Sequence, residues 1–111
     1  MIDLNELSGI CAKYSKMREE HGAFEKNDDI LKHCAGELIE AVEAKNMYKN
    51  TKDIEEKVDL CSIYADELMD IMYCVLVACK QDDIDVEKSL MNNIDKNKKR
   101  ALCIGDKKGQ F

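Results

Sequence analysis

The chain has 111 residues, a formal net charge of −6, no proline and no tryptophan, and 36% of its residues are charged. This length fits one small domain, and an acidic chain is a poor general binder of nucleic acids. No basic start leads into a long apolar run, and the longest apolar stretch, residues 71–79, is too short to cross a membrane. We therefore predict one cytoplasmic domain over residues 1–111, with a flexible tail at about 104–111 and no membrane or nucleic-acid partner.

Long helices are the natural prediction for a chain with no proline and only five glycines. The first helix is predicted from about Asp3 to Glu20, and one apolar stripe runs along it. This stripe recurs at steps of three and four residues and consists of Leu4, Leu7, Ile10, Cys11, Tyr14 and Met17. After a connector over residues 23–29, Asn27, Asp28 or Asp29 is expected to cap a second helix that ends near Lys45.

Residues 46–52 are predicted to form a loop before a third helix, from about Asp53 to Lys80. Along this helix an apolar seam alternates in steps of three and four, which calls for a partner helix. The seam consists of Val58, Cys61, Ala65, Leu68, Met72, Val75 and Cys79. Asp83 or Asp85 is expected to cap a fourth helix, from about Val86 to Leu102. The six cysteines contain no CxxC pair, so we expect reduced and mostly buried thiols.

Two acidic pairs stand inside otherwise apolar helix faces: Glu37 with Glu40, and Glu67 with Asp70. Acids three residues apart share one face of a helix, so two packed helices would bring four carboxylates together. Such a cluster either takes up protons or binds a hard divalent cation. We predict that all four bind Mg²⁺, with Mn²⁺ as a substitute. The alternative is that some of the 23 acidic residues fall at stripe edges by chance.

A basic cluster lies near the end of the fourth helix and offers groups that suit phosphate. Its predicted substrate-binding residues are Asn93, Lys96, Asn97 and Arg100. The alternative is simple charge complementarity to a helix C-terminus. The chain has no GxxxxGK[ST] loop, no GxGxxG turn and no Ser/His/Asp or Cys/His arrangement.

With these motifs, the chain resembles the MazG-like all-α nucleoside triphosphate pyrophosphohydrolases, and in particular the dCTP-pyrophosphatase type. The matching stretches are Gly36-Glu-Leu-Ile-Glu-Ala41, Asp66-Glu-Leu-Met-Asp-Ile71 and Asn97-Lys-Lys-Arg100, with 26 residues between Glu40 and Glu67. The resemblance implies an all-α bundle of four to five helices completed as a homodimer or homotetramer. It also implies Mg²⁺-dependent hydrolysis of a nucleoside triphosphate to monophosphate and pyrophosphate. A related alternative is hydrolysis of phosphoribosyl-ATP, which the resemblance associates with the same fold and the same metal-binding acids.

Two positions depart from the pattern of that type. Cys34 stands where its first metal-binding glutamate belongs, and Asn93 stands where a lysine is common. Either Glu40 takes over as ligand, His33 or Cys34 contributes, or the site is weakened. A member that binds nucleotide or protein without catalysis is therefore the alternative to an enzyme, and a purely structural helical oligomer is a third hypothesis.

Overall fold

The computed structural model describes residues 2–21 and 30–103, and within these ranges it contains four α-helices and no strand. They are α1 (Leu4–Glu20), α2 (Ile30–Asn50), α3 (Ile54–Gln81) and α4 (Val86–Leu102). The predicted all-α class is confirmed. In the same ranges, none of the helices is long and apolar enough to span a bilayer. The predicted connector at 23–29, its capping residues and the tail at 104–111 lie outside the described residues.

Aspartate side chains begin three of the helices by accepting backbone N–H groups that have no partner inside the helix. Asp3 accepts from the N–H groups of Asn5 and Glu6, and Asp53 accepts from that of Glu55. Asp85 accepts from the N–H of Lys88, so it is the cap of α4, while Asp83 occupies a left-handed turn at φ 53°. The predicted bounds of α1, α3 and α4 agree with the structure to within one residue.

The predicted loop over residues 46–52 was wrong, because α2 continues to Asn50 and only residues 51–53 separate it from α3. No proline or glycine interrupts residues 46–50. The last turn of α2 is also held by packing, since the ring of Tyr48 stacks on that of Tyr64 with centroids 6.3 Å apart. The short connection makes α2 and α3 an antiparallel hairpin.

The core is small and lies where α1 and α2 meet the C-terminal half of α3. Ile30, Cys74 and Val77 are buried together, with Cys11, Cys34, Tyr73 and Ala78 packed against them. All six cysteines are free. Cys74 is buried, three others are half-buried, and Cys61 and Cys103 are exposed.

Most of the apolar stripe of α1 is exposed rather than packed in the core. Leu7, Ile10, Tyr14 and Met17 are between 38% and 52% exposed, whereas Ser8 and Ser15 are buried. The Ser8 hydroxyl donates to the carbonyl of Leu76, and the Tyr73 hydroxyl donates to the carbonyl of Cys11 at 3.0 Å. Small side chains let the two backbones approach closely enough for these bonds, so α1 packs on α3 through its polar, small-residue face.

The seam of α3 is largely exposed. Val58 is 65% exposed, Met72 51% and Val75 44%. A groove of about 370 Å³ runs between the C-terminal part of this seam and α4, lined mainly by apolar side chains that include Met72, Val75, Val86 and Leu90. Within residues 2–21 and 30–103, the apolar faces of α1 and α3 thus have no helix covering them.

The first turn of α4 is docked on the start of α1. The N–H of Val86 donates to Asn5 Oδ1 at 2.8 Å, and the N–H of Leu4 donates to Glu87 Oε1 at 3.1 Å. The Asn5 amide also donates to Asp85 Oδ1 at 3.0 Å. These bonds place the beginning of α4 at the opposite end of α1 from Arg18.

Candidate metal centre

Three of the four predicted acidic ligands meet between α2 and α3. Glu37 lies on α2, and Glu67 and Asp70 lie one turn apart on α3. One carboxylate oxygen of each lies within 4.8 Å of those of the other two, and all three residues are half-buried. The antiparallel hairpin brings the two acidic pairs together because they lie at similar distances from the 51–53 turn.

Two oxygens of this cluster lack hydrogen-bond partners. Glu37 Oε2 and Glu67 Oε2 are both buried from solvent and accept no hydrogen bond. A buried carboxylate oxygen without a donor is unfavourable, and a bound cation or a proton relieves the penalty. The arrangement therefore fits a hard divalent ion with oxygen ligands.

The electrostatics of the cluster agree with this geometry. Burial raises the pKa of Glu37 to about 7, helped by a hydrogen bond with Glu40 and by the charges of Glu40, Asp70 and Glu67. Burial likewise raises the pKa of Glu67, with Glu40 as the next cause, and that of Asp70, with the charges of Asp66 and Glu40 adding to it. The folded protein thus disfavours three ionised carboxylates unless a positive charge compensates them.

Glu40 and Cys34 occupy different places relative to these three acids. Glu40 is exposed at the edge of the cluster, and its carboxylate acts on the pKa of Glu37, Glu67 and Asp70. It is not part of the group whose oxygens lie within 4.8 Å. Cys34 packs against the core beside Cys74, outside that group. Glu40 as a fourth ligand stays a prediction.

The acids lie between two cavities. A cavity of about 350 Å³ is enclosed by α1, α2 and α3, and Glu37 and Asp70 line it together with Ser15, Arg18, Ile30, His33, Tyr73 and Cys74. A second, more open cavity of about 280 Å³ is lined by Lys32, His33, Gly36, Glu37 and Glu40. A molecule bound in either cavity would contact the acidic cluster.

Arg18 was missed by the sequence interpretation, which treated α1 only as an amphipathic helix. A signal was present: Ser8, Cys11, Ser15 and Arg18 form one row at steps of three and four. Three small residues followed by an arginine on one face indicate a close helix contact that ends in a cation. His33 entered that interpretation only as an alternative ligand, and it lines both cavities.

The predicted basic cluster of α4 lies elsewhere. Asn93, Lys96, Asn97 and Arg100 line neither cavity beside the acids. The Asn97 amide donates to the Asn93 carbonyl at 2.9 Å and to its side-chain oxygen at 2.8 Å. Lys99 forms an exposed ion pair with Asp95 at 3.1 Å. Their assignment to substrate binding stays a prediction. These residues do not line the cavities beside the acids of their own chain, so the prediction requires them to contact a substrate elsewhere.

Comparison with known proteins gives one match. The family model described as phosphoribosyl-ATP pyrophosphohydrolase matches residues 10–98, which include all the acidic residues of the cluster and most of α4. No curated protein and no solved structure matched the chain. The predicted relationship to all-α nucleotide pyrophosphohydrolases is confirmed, whereas the match does not support the dCTP-pyrophosphatase type.

The raised pKa of Glu37 predicts how stability depends on pH without metal. The unfolded chain loses this proton near the ordinary value of 4.5, and the folded protein keeps it up to about 7. Between these values the folded state binds more protons, so raising the pH across this window should lower the free energy of unfolding.

Urea unfolding in EDTA at pH 4.5, 5.5, 6.5 and 7.5 measures this dependence. Glu37→Gln should flatten the decline, while Glu55→Gln, which removes an exposed acid at the start of α3, should leave it unchanged. An identical pH dependence in the wild-type protein and Glu37→Gln would contradict the electrostatic account of the cluster.

Proposed function

The chain belongs to the phosphoribosyl-ATP pyrophosphohydrolase family, and we propose that it hydrolyses a nucleotide at the bond between its α and β phosphates. Water adds to the α phosphorus, the Pα–O–Pβ bond breaks, and pyrophosphate leaves. The observation that carries the proposal is the meeting of Glu37, Glu67 and Asp70, with carboxylate oxygens within 4.8 Å of one another.

The residues of the cluster have distinct proposed roles. Glu37, Glu67 and Asp70 would hold Mg²⁺, or Mn²⁺ in its place, through oxygens that otherwise repel one another. When bound, the ion would supply charge neutralisation for the phosphates and activation of the attacking water. Glu40 is the proposed fourth ligand, and its exposed carboxylate would accept the proton that the water loses.

The matching family model supports the proposed substrate class. We propose a nucleotide that carries a 5′-triphosphate, with phosphoribosyl-ATP as the first candidate because of the matching family model. A nucleoside triphosphate is the second candidate, because the same cleavage and the same pyrophosphate product apply to it.

We also propose that the protein acts as a homodimer or homotetramer. The seam of α3 and the stripe of α1 expose apolar side chains along continuous helix faces, including Met72, Val75 and Ile10. Patches of this kind typically mark interfaces. In such an assembly, Lys96, Asn97 and Arg100 of one subunit would serve the substrate of a neighbouring one, since they lie away from the acids of their own chain.

The second candidate function is binding of nucleotide or protein without catalysis. The position of Cys34 favours it, because the residue that stands where the dCTP-pyrophosphatase type has a glutamate packs on the core and leaves three close acids. Three carboxylates are still sufficient to bind Mg²⁺, which often keeps several waters. Catalysis therefore remains the primary proposal.

Pyrophosphate release tests the activity. With Mg²⁺, we expect turnover of phosphoribosyl-ATP or of a member of a panel of ribo- and deoxyribonucleoside triphosphates. Glu67→Gln should lower the rate at least about 100-fold because it removes a ligand, while Glu55→Gln should retain it. Absence of turnover in folded protein that binds Mg²⁺ would exclude the enzyme, and nucleotide binding without product would support the second candidate.

A mixing experiment tests whether α4 acts across subunits. Glu67→Gln and Arg100→Ala should each be nearly inactive. If the protein is a dimer, co-refolding equal amounts of the two variants should restore about one quarter of the wild-type activity. Half of the dimers then contain both variants, and each of these carries one intact site out of two. Co-refolding Glu67→Gln with Asp70→Asn, which both alter the acidic side, is the matched control and should restore nothing. Failure of the first pair to exceed the control would show that Arg100 does not act in trans.

A further inference from the structure

Arg18 is the cation that the fold brings to the acidic cluster from a third helix. It lies near the C-terminal end of α1, and it lines the cavity of about 350 Å³ together with Glu37 and Asp70. Burial raises the pKa of Asp70 and of Tyr73, and the charge of Arg18 partly offsets both rises, which is consistent with a guanidinium close to the α3 face of that cavity. The positive charge in this cavity therefore comes from α1 and not from the basic cluster of α4.

The lining of the cavity favours an anionic group over a nucleobase. Arg18, His33 and Ser15 provide N–H and O–H groups, and Tyr73 is the one Phe, Tyr or Trp among the described residues that line it. The Tyr73 hydroxyl already donates its proton to the Cys11 carbonyl. A planar guanidinium pairs with phosphate through two parallel hydrogen bonds. Arg18 is therefore suited to bind a phosphoryl group that the Mg²⁺ proposed for the acidic cluster also holds.

We propose that Arg18 binds the pyrophosphate end of the substrate inside this cavity. The inference rests on the proposed function for the identity of the ligand, and it applies equally to phosphoribosyl-ATP and to nucleoside triphosphates, because both release pyrophosphate. The departing pyrophosphate gains negative charge as the Pα–O–Pβ bond breaks. Arg18 would stabilise that charge from the α1 side, opposite the carboxylates of α2 and α3.

Lys32 is the competing cation, because it lines the second cavity on the other side of Glu37. If pyrophosphate bound there, Lys32 rather than Arg18 would hold it. Arg18 is the stronger candidate since its cavity also contains Asp70 and is lined by three helices, whereas the described residues that line the cavity beside Lys32 all belong to α2.

Calorimetric titration with inorganic pyrophosphate at fixed Mg²⁺ tests the proposal in the full chain. Arg18→Ala should weaken pyrophosphate binding about 10- to 100-fold, and Arg18→Lys should recover part of the loss because it keeps the charge without the fork. Lys32→Ala and Lys16→Ala should bind pyrophosphate within about twofold of wild type; Lys16 is an exposed cation on the same helix as Arg18. In turnover assays, Arg18→Ala should lower kcat as well as raise KM, because the charge that Arg18 stabilises develops while the bond breaks.

The outcomes separate this inference from the proposed function. Wild-type affinity for pyrophosphate in Arg18→Ala would overturn the inference, as would a larger loss in Lys32→Ala. Loss of Mn²⁺ binding in Arg18→Ala would also overturn it, because Arg18 would then act by organising the acids. Arg18-dependent pyrophosphate binding without hydrolysis of any nucleotide would refute the proposed function and leave this inference standing.

Discussion

The repulsion among Glu37, Glu67 and Asp70 is the constraint on which the account of this protein depends. Their oxygens approach within 4.8 Å, and two of the carboxylates each bury an oxygen that accepts no hydrogen bond. In an ordinary helix hairpin, apolar side chains would occupy the positions between the two helices that these acids occupy here. Here α2 and α3 pack around a charge cluster, so protons or a cation that reduce the repulsion stabilise the fold.

The contact between α1 and α3 determines the space around that cluster. Ser8 and Ser15 are buried on α1, and the hydrogen bonds of Ser8 to Leu76 and of Tyr73 to Cys11 fix the two helices at close range. The same face carries Arg18 to the cavity beside Asp70. Packing through small residues therefore turns the larger apolar side chains of α1 outward, where they form an exposed apolar surface.

The helix bounds and most of the acidic cluster could be predicted from the sequence, because their physical signals are local. Aspartate caps and apolar periodicity predicted the bounds of α1, α3 and α4. The spacing of acids on helix faces predicted that four carboxylates would meet, and three of them, Glu37, Glu67 and Asp70, do so. The face of α1 could not be predicted in the same way. Periodicity identifies an apolar stripe, but it does not tell whether that stripe packs in its own chain or against another one.

The distinction between local signals and tertiary packing also explains the other differences between the sequence predictions and the structure. Arg18 belongs to no motif, and it reaches the acids only because the small face of α1 packs on α3. The end of α2 depends on the stacking of Tyr48 on Tyr64, which is a contact between two helices. The location of the α4 cluster depends on how α4 leaves the start of α1. Each of these features is set by tertiary packing, and neither propensity nor spacing encodes it locally.

Mn²⁺ binding measured by electron paramagnetic resonance of the free ion tests the central claim most directly, because it reports the acidic cluster without requiring a substrate. The account predicts that wild-type protein binds Mn²⁺ at pH 7.5, that Mg²⁺ displaces it, and that Glu67→Gln weakens binding at least about tenfold while Glu55→Gln does not. Equal Mn²⁺ binding by wild-type protein and Glu67→Gln would contradict the account.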